Sequence, residues 1–114
     1  MIIRERDIKE FDFHGLKIRE YLAGSGEKSS FSVIEVPAGA SHQLSWSKRS
    51  DKYYYIVEGS IEFTMDGQTS IFDKGDLCIV RQGEKFMYAN NSDTQATLVL
   101  VHTPSFLITE EVFE

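Results

Sequence analysis

The chain has little of what would tie it to a disulfide scaffold, a nucleic acid or a membrane. Cys78 is its one cysteine, which excludes an internal disulfide framework and is typical of a reducing compartment. Basic residues number 12 against 18 acidic ones, and the net charge of −6 disfavours nucleic-acid and anionic-membrane partners. No apolar segment has signal-peptide or membrane-spanning length. We therefore expect a cytoplasmic protein.

Long amphipathic helices are also lacking, and short strands take their place. Apolar residues alternate with polar ones over brief stretches, and turn signals recur roughly every 8–12 residues, a pattern typical of a sandwich or barrel. A Gly- and Ser-rich loop is predicted at 23–30. We predict one all-β domain over residues 1–114. The predicted strands lie at 11–13, 16–22, 31–36, 42–47, 53–57, 61–65, 69–72, 77–80, 85–89 and 96–102, with 106–114 as a tail strand or helical turn.

Four glycines, Gly39, Gly59, Gly75 and Gly83, mark turns between apolar segments in the middle of the chain. Gly39 and Gly59 bracket a segment that contains Ser45, Ser47 and Lys52, and Gly75 opens a second segment. This second segment contains Asp76, Arg81, Gly83, Phe86 and Asn90. Together the two segments resemble the two sequence motifs of the cupin superfamily. The resemblance implies a cupin-type double-stranded β-helix, which is a jelly-roll barrel.

The positions that usually bind a metal in that family carry other chemistry here. Ser45 and Ser47 stand where His is usual, Lys52 where Glu is usual, and Phe86 where His is usual. A hydroxyl is a weak ligand, an ammonium repels a cation, and a phenyl ring has no donor atom. We therefore predict that the usual cupin metal is absent and that there is no other cofactor. An open alternative is a displaced metal site formed by His42, His102 and Glu35.

Strand alternation predicts which side chains face the barrel interior. If it holds, Gln43, Ser45 and Ser47 share one face, and His42, Leu44 and Trp46 share the other. The family register places the first set inside, but a slip of one residue would reverse this and bring Trp46 into the lumen. The predicted ligand-binding residues are Gln43, Ser45, Ser47, Lys52, Tyr54, Phe86 and Tyr88.

Two classes of function fit such an interior. The first is a non-catalytic module that binds a small organic molecule with an anionic or carbonyl group. In the purely structural version of this class no ligand binds: the aromatic side chains fill the lumen and Lys52 extends to solvent. The alternative is a metal-independent isomerase, epimerase or lyase acting on a sugar or carbonyl substrate, in which Lys52 and Tyr54 or Tyr88 exchange protons.

The resemblance also bears on assembly, because cupin-like barrels commonly pair through edge strands and an N-terminal arm. The C-terminal tail is rich in apolar side chains that gain nothing from contact with water. They are Phe106, Leu107, Ile108, Val112 and Phe113. We expect a two-fold homodimer.

Overall fold

The computed structural model describes residues 1–22 and 24–114, so residue 23 of the predicted loop lies outside it. Within the described residues the chain forms eleven strands and two short 3-10 turns, at Glu5–Asp7 and Ile108–Glu110. The first six strands are β1 (Phe11–Phe13), β2 (Leu16–Glu20), β3 (Ser30–Val36), β4 (Ser41–Ser47), β5 (Asp51–Glu58) and β6 (Ser60–Met65). The others are β7 (Gln68–Asp73), β8 (Leu77–Val80), β9 (Phe86–Ala89), β10 (Ala96–Thr103) and β11 (Glu111–Phe113).

These strands form two antiparallel sheets. The six-stranded sheet has the order β1-β2-β3-β10-β5-β8, and the five-stranded sheet has the order β11-β4-β9-β6-β7. Their inner faces pack together around buried side chains such as Ile56 and Leu98 from the first sheet and Phe63 from the second. The predicted all-β jelly roll is confirmed. No helix in the described part of the chain has the length and apolar character needed to cross a membrane.

Alternation holds over most strands and builds this core. Every second residue is buried along β3 and along β10, as expected for strands with one face in the core. On β5 the buried side chains are Lys52, Tyr54 and Ile56, and they face Phe86 and Tyr88 of the other sheet. This part of the predicted interior is correct.

Two turns show why glycine occupies its positions. Asp66 and Gly67 have φ of 49° and 80°, the paired positive values that a two-residue hairpin turn requires. Gly59 has φ of 82° and lies against the start of β10, the neighbour of β5 in the six-stranded sheet. A Cβ at this position would come within 2.9 Å of the Ala96 backbone. Gly59 is therefore required by its conformation and by the close approach of two chain segments.

Alternation fails on β4, and with it the predicted orientation of two side chains. His42 pairs with Tyr88 and Ser45 pairs with Phe86, so three steps on β4 match two steps on β9. The extra residue is a β-bulge, which re-aims the side chains on either side of it. His42 therefore faces the interior, whereas Gln43 is exposed and its amide lies 3.4 Å from the Glu114 carbonyl. The prediction that Gln43 faces inward and His42 outward is wrong.

The C-terminal tail folds back onto the barrel. After the 3-10 turn at Ile108–Glu110, β11 pairs with β4 through the register Glu111–Ser47 to Phe113–Ser45. Both predicted forms of the tail, a helical turn and a strand, are therefore present. The pairing covers the edge of the five-stranded sheet and brings Glu111 and Phe113 to its inner side.

Candidate functional site

A cavity of about 300 Å³ lies between the two sheets. Phe11 and Ile108 line it while remaining 45% and 58% exposed, so they stand at its rim. The other apolar walls come from Phe13, Ile18, Ile34, Leu100, Phe106 and Phe113. The polar lining consists of Glu20, Ser32, His42, Lys52, Tyr54, Tyr88, His102 and Glu111. The lumen is open, and half of the side chains around it are polar.

Lys52 is the centre of a buried polar cluster. Its side chain is not directed to solvent, since the residue is only 4% exposed. The ammonium donates a short hydrogen bond to Glu111 Oε1, lies 2.8 Å from His102 Nε2 and stands 5.5 Å from the centre of the Phe86 ring. Burial lowers the pKa of Lys52, and the neighbouring Glu111 carboxylate opposes that shift.

His102 completes this cluster as an acceptor. An ammonium carries only donors, so His102 Nε2 must accept the hydrogen bond from Lys52, which leaves the ring hydrogen on Nδ1. Burial, and secondarily the charge of Lys52, lowers the pKa of His102 to about 2. The imidazole is therefore neutral, and its Nδ1–H is a buried donor with no partner among the described residues.

Glu20 and Ser32 bring a second carboxyl group and a hydroxyl to the cavity. They are cross-strand partners on β2 and β3. Burial raises the pKa of Glu20 to about 7, and the Ser32 hydroxyl and, to a smaller extent, the Lys52 charge only partly offset this shift. This carboxyl group therefore titrates close to neutral pH, which is a common property of groups that exchange protons in active sites.

His42 lies in a box of aromatic rings. Its ring stacks on Phe86 and Tyr88 with centroid distances of 5.2 and 5.0 Å, and Phe13 and Phe113 lie at 5.7 and 6.2 Å. Nδ1 is 2.8 Å from the Gln43 carbonyl oxygen, so it carries the hydrogen and Nε2 keeps its lone pair. Burial lowers the pKa of His42 to about 4. The ring is thus a neutral base at pH 7.

Several buried polar atoms of the cavity wall have no hydrogen-bond partner among the described residues. Each unpaired buried group costs roughly 1–3 kcal/mol, so a cluster of them around one cavity is a place where ordered water or a polar ligand supplies the missing partners. The atoms are Glu20 Oε2, Ser32 Oγ, Tyr88 Oη, His102 Nδ1 and Glu111 Oε2.

The structure brings together only part of the predicted site. Lys52, Tyr54 and Tyr88 line the cavity, and Phe86 is buried behind Lys52 and His42. The Ser45 and Ser47 side chains are buried but do not line the cavity. Ser45 donates to the Gln43 carbonyl, and Ser47 accepts from the backbone amides of residues 49 and 50. Ligand binding by any of these residues stays a prediction.

The predicted ligand-binding set leaves out Glu20, Ser32, His42, His102 and Glu111, and the two histidines appear only in the displaced metal alternative. A signal exists for three of these residues. Each is a polar residue on a core-facing row: Glu20 shares the parity of buried Leu16 on β2, Ser32 that of Ile34 on β3, and His102 that of Leu98 on β10. No periodicity marks Glu111, because its position depends on how the tail folds back.

The residues at the usual cupin metal positions do not fit a metal ion. The hydroxyls of Ser45 and Ser47 are engaged with backbone groups, Lys52 is paired with Glu111, and Phe86 offers no donor atom. The displaced alternative is also not assembled, because Glu35 binds Gln95 and Thr97, away from the cavity. Across the described residues no three His, Cys, Asp or Glu side chains are grouped as metal ligands.

The chain belongs to the cupin family. The family model for the Cupin domain matches residues 32–102, which span most of both sheets. No curated protein matches the sequence.

Solved structures of the same fold include several enzymes. Pac13, a nucleoside dehydratase, has 21% sequence identity and a TM-score of 0.87, with 100% of this chain and 90% of that chain covered. Streptomyces PAC13 variants with uridine, each with one of two tyrosines or a histidine substituted, show similar likeness. A predicted oxalate decarboxylase from Thermotoga maritima has 21% identity, a TM-score of 0.82 and coverage of 91% and 99%. KdgF from Halomonas sp. has 13% identity, a TM-score of 0.80 and coverage of 91% and 93%. At these identities the likeness establishes the fold.

Proposed function

We propose that this cupin is a metal-independent acid–base enzyme that eliminates water from, or isomerises, a small hydroxylated carbonyl or sugar-like molecule. The observation that carries the proposal is the aromatic box around His42. Its Nδ1 is held by the Gln43 carbonyl, and Nε2 has no hydrogen-bond partner among the described residues. A neutral imidazole with one free nitrogen, positioned at a cavity wall, is suited to accept a proton from a substrate.

The other side of the same cavity supplies an acid. Glu20, with a pKa of about 7, is partly protonated at neutral pH, whereas His42, with a pKa of about 4, is not. Two neighbouring groups whose environments move their pKa values apart are available as acid and base at one pH. This pairing favours catalysis over the non-catalytic module that the sequence alone placed first.

The elimination reaction can be written with named groups. His42 Nε2 removes a proton from the carbon next to a carbonyl, and the C–H electron pair becomes a carbon–carbon double bond as the C–O bond breaks. The departing hydroxyl takes a proton from Glu20 and leaves as water. The proton on His42 then returns to the Glu20 carboxylate through solvent, which restores both groups.

Comparison with Pac13 supports a sugar-bearing substrate. That protein is a nucleoside dehydratase, and its variants with uridine replace a histidine or one of two tyrosines. The cavity wall here also presents a histidine, His42, and two tyrosines, Tyr54 and Tyr88. A nucleoside or a free sugar matches the mixture of aromatic and polar walls.

The test combines binding and turnover. Hexoses and β-hydroxy aldehydes are incubated with the protein in D₂O, and solvent deuterium uptake and the absorbance of a conjugated carbonyl product are followed. His42→Gln should reduce turnover by about 10²–10⁴-fold, the range for loss of a general base. The exposed His14, replaced by Asn, is the control and should leave the rate unchanged.

Two outcomes would overturn the proposal. One is deuterium uptake that is equal in the native protein and His42→Gln. The other is binding of a tested compound with no exchange and no product, which would identify the chain as the non-catalytic binding module.

A further inference from the structure

The charges around the cavity cancel almost completely. The sequence predicts a ligand with an anionic or carbonyl group, but Lys52 is already paired with Glu111. The charges of these two side chains sum to zero, whether both are ionised or the proton has moved from Lys52 to Glu111. His42 and His102 are neutral because burial lowers their pKa values to about 4 and about 2. The remaining ionisable carboxyl group, Glu20, adds only negative charge. No net positive charge faces a ligand in this cavity.

To pair the unpartnered atoms of the cavity wall, a ligand must supply hydrogen-bond donors at least as much as acceptors. Glu20 Oε2 and Glu111 Oε2 are carboxyl oxygens without partners among the described residues, and an ionised carboxylate only accepts hydrogen bonds. Hydroxyl groups can donate to both. A phosphate or carboxylate has no hydrogen to offer and would place its charge beside these oxygens. Removing such a charge from water without a cationic partner costs a large amount of binding free energy.

Size and wall chemistry agree with an uncharged ring. A volume of about 300 Å³ is at the small end of ligand-binding pockets, which suits one sugar or a nucleoside. Aromatic side chains such as Phe13 and Phe113 offer flat apolar surfaces for the faces of such a ring.

We propose that the cavity selects uncharged hydroxylated molecules over their phosphorylated counterparts, and that Glu111 sets this preference by occupying Lys52. The inference rests on the proposed function for the identity of the site and adds its substrate class. Glu111 thereby becomes a specificity-determining residue, although it lies on the tail, 59 residues from Lys52 in sequence.

The experiment measures binding of two matched pairs of probes by calorimetry. The pairs are uridine with uridine 5′-phosphate, and glucose with glucose 6-phosphate. The native protein should bind the uncharged member of at least one pair about tenfold or more tighter, because an unpaired charge buried in a site costs that much or more. Glu111→Gln removes the carboxylate that pairs with Lys52, so a phosphate can take its place and hold the ammonium in its charged form. Binding of the phosphorylated member should therefore improve by about tenfold or more.

Two controls separate local from global charge effects. Glu114→Gln changes the net charge by the same amount on the same tail segment, where Glu114 forms an exposed pair with Lys85. It should leave the preference within about twofold, since surface pairs contribute little. The double variant Glu111→Gln/Lys52→Gln removes the freed cation and should lose the gain. If Glu111→Gln alone is poorly folded, the preference of the native protein between the two members of each pair still tests the inference.

The inference fails if the phosphorylated probe binds the native protein as tightly as the uncharged one. It also fails if Glu111→Gln leaves the preference unchanged. Absence of turnover together with the expected preference would defeat the proposed function and leave the substrate class standing. Turnover of a phosphorylated substrate would support the proposed function and contradict the proposed substrate class.

Discussion

His42 shows how one side chain acquires its chemistry from its surroundings. Stacking on Phe86 and Tyr88 removes the ring from water, and the Gln43 carbonyl fixes the tautomer. Desolvation disfavours the charged form and lowers the pKa of His42 to about 4, from an ordinary histidine value of 6.5. Protonation of this residue should therefore compete directly with folding.

The first prediction concerns the pH dependence of stability. Between pH 6.5 and about 4 the unfolded chain binds a proton at His42 that the folded chain does not, so the free energy of unfolding decreases as pH falls. The loss is about 1.4 kcal/mol per pH unit, or about 2 kcal/mol between pH 6.5 and 5. His42→Gln should lack this component. Urea denaturation at pH 7 and pH 5 measures it.

Subtracting the variant from the native protein isolates the effect. Glu20, whose pKa is raised to about 7, has the opposite sign: its contribution is present below pH 4.5 and is lost as pH rises through 7. His102 acts in the same direction as His42. Glu20 and His102 remain in the variant, so their contributions largely cancel when the two pH dependences are subtracted. His14→Asn should follow the native curve, and a native-like pH dependence in His42→Gln would contradict the prediction.

Parity reasoning captured the side chains on regular strands and failed at the bulge. Lys52, Tyr54 and Tyr88 were placed inside because β5 and β9 alternate without interruption over these residues. His42 was placed outside because nothing in the sequence marks the extra residue on β4. A one-residue irregularity reverses every orientation beyond it, so the most chemically informative side chain was assigned to the wrong face.

At the scale of elements, the turn at Gly59 joins the two sheets. It links β5 of the six-stranded sheet to β6 of the five-stranded sheet, and its backbone touches Ala96 on β10. No side chain fits between these segments. Gly75 shares the positive φ, at 91°, but a Cβ there would meet nothing within 4 Å.

The second prediction compares alanine at these two glycines. Gly75→Ala should destabilise the fold by about 1–2 kcal/mol, the cost of a left-handed conformation for a residue with a side chain. Gly59→Ala bears the same conformational cost and adds a clash with the Ala96 backbone, worth about 1–3 kcal/mol more. Thermal or urea denaturation of both variants measures the difference. Equal losses would show that the two turns have the same requirement.

Element identity was the most predictable property of this chain. Runs such as 77–80 and 96–102 were found nearly to the residue, because β-branched and apolar side chains between turn residues leave few alternatives. The tail was ambiguous for a physical reason. Its 3-10 turn and short strand are stabilised by pairing with β4, a contact between residues far apart in sequence that local patterns do not encode.

At the scale of the whole molecule, the tail bears on assembly. Phe106, Ile108 and Phe113, which were expected to seek a second subunit, line the cavity of their own chain. The outer face of the six-stranded sheet is a better candidate for a dimer interface. Tyr55, Val57 and Leu77 are 46%, 37% and 52% exposed there, and Tyr55 and Leu77 are cross-strand partners. Apolar surface of this kind is characteristic of interfaces.

The third prediction is a two-fold homodimer through this face. Two copies that each carry a charge of −6 repel one another. The electrostatic cost of association is therefore lowest where neither surface presents a charged side chain. None of the three residues of the patch, Tyr55, Val57 and Leu77, is charged. Light scattering at micromolar concentration should give twice the chain mass of 13.0 kDa. The double variant Tyr55→Glu/Leu77→Glu should return the mass to that of one chain.

The control places one negative charge on an exposed apolar side chain of the other sheet. Ile71 is 64% exposed on β7, at the edge of the other sheet, and Ile71→Glu should remain dimeric. Neither change touches the cavity, so binding of uncharged probes should persist in both variants. A native mass near 13.0 kDa would show that the apolar face is tolerated in water, and dissociation by Ile71→Glu alone would place the interface on the five-stranded sheet.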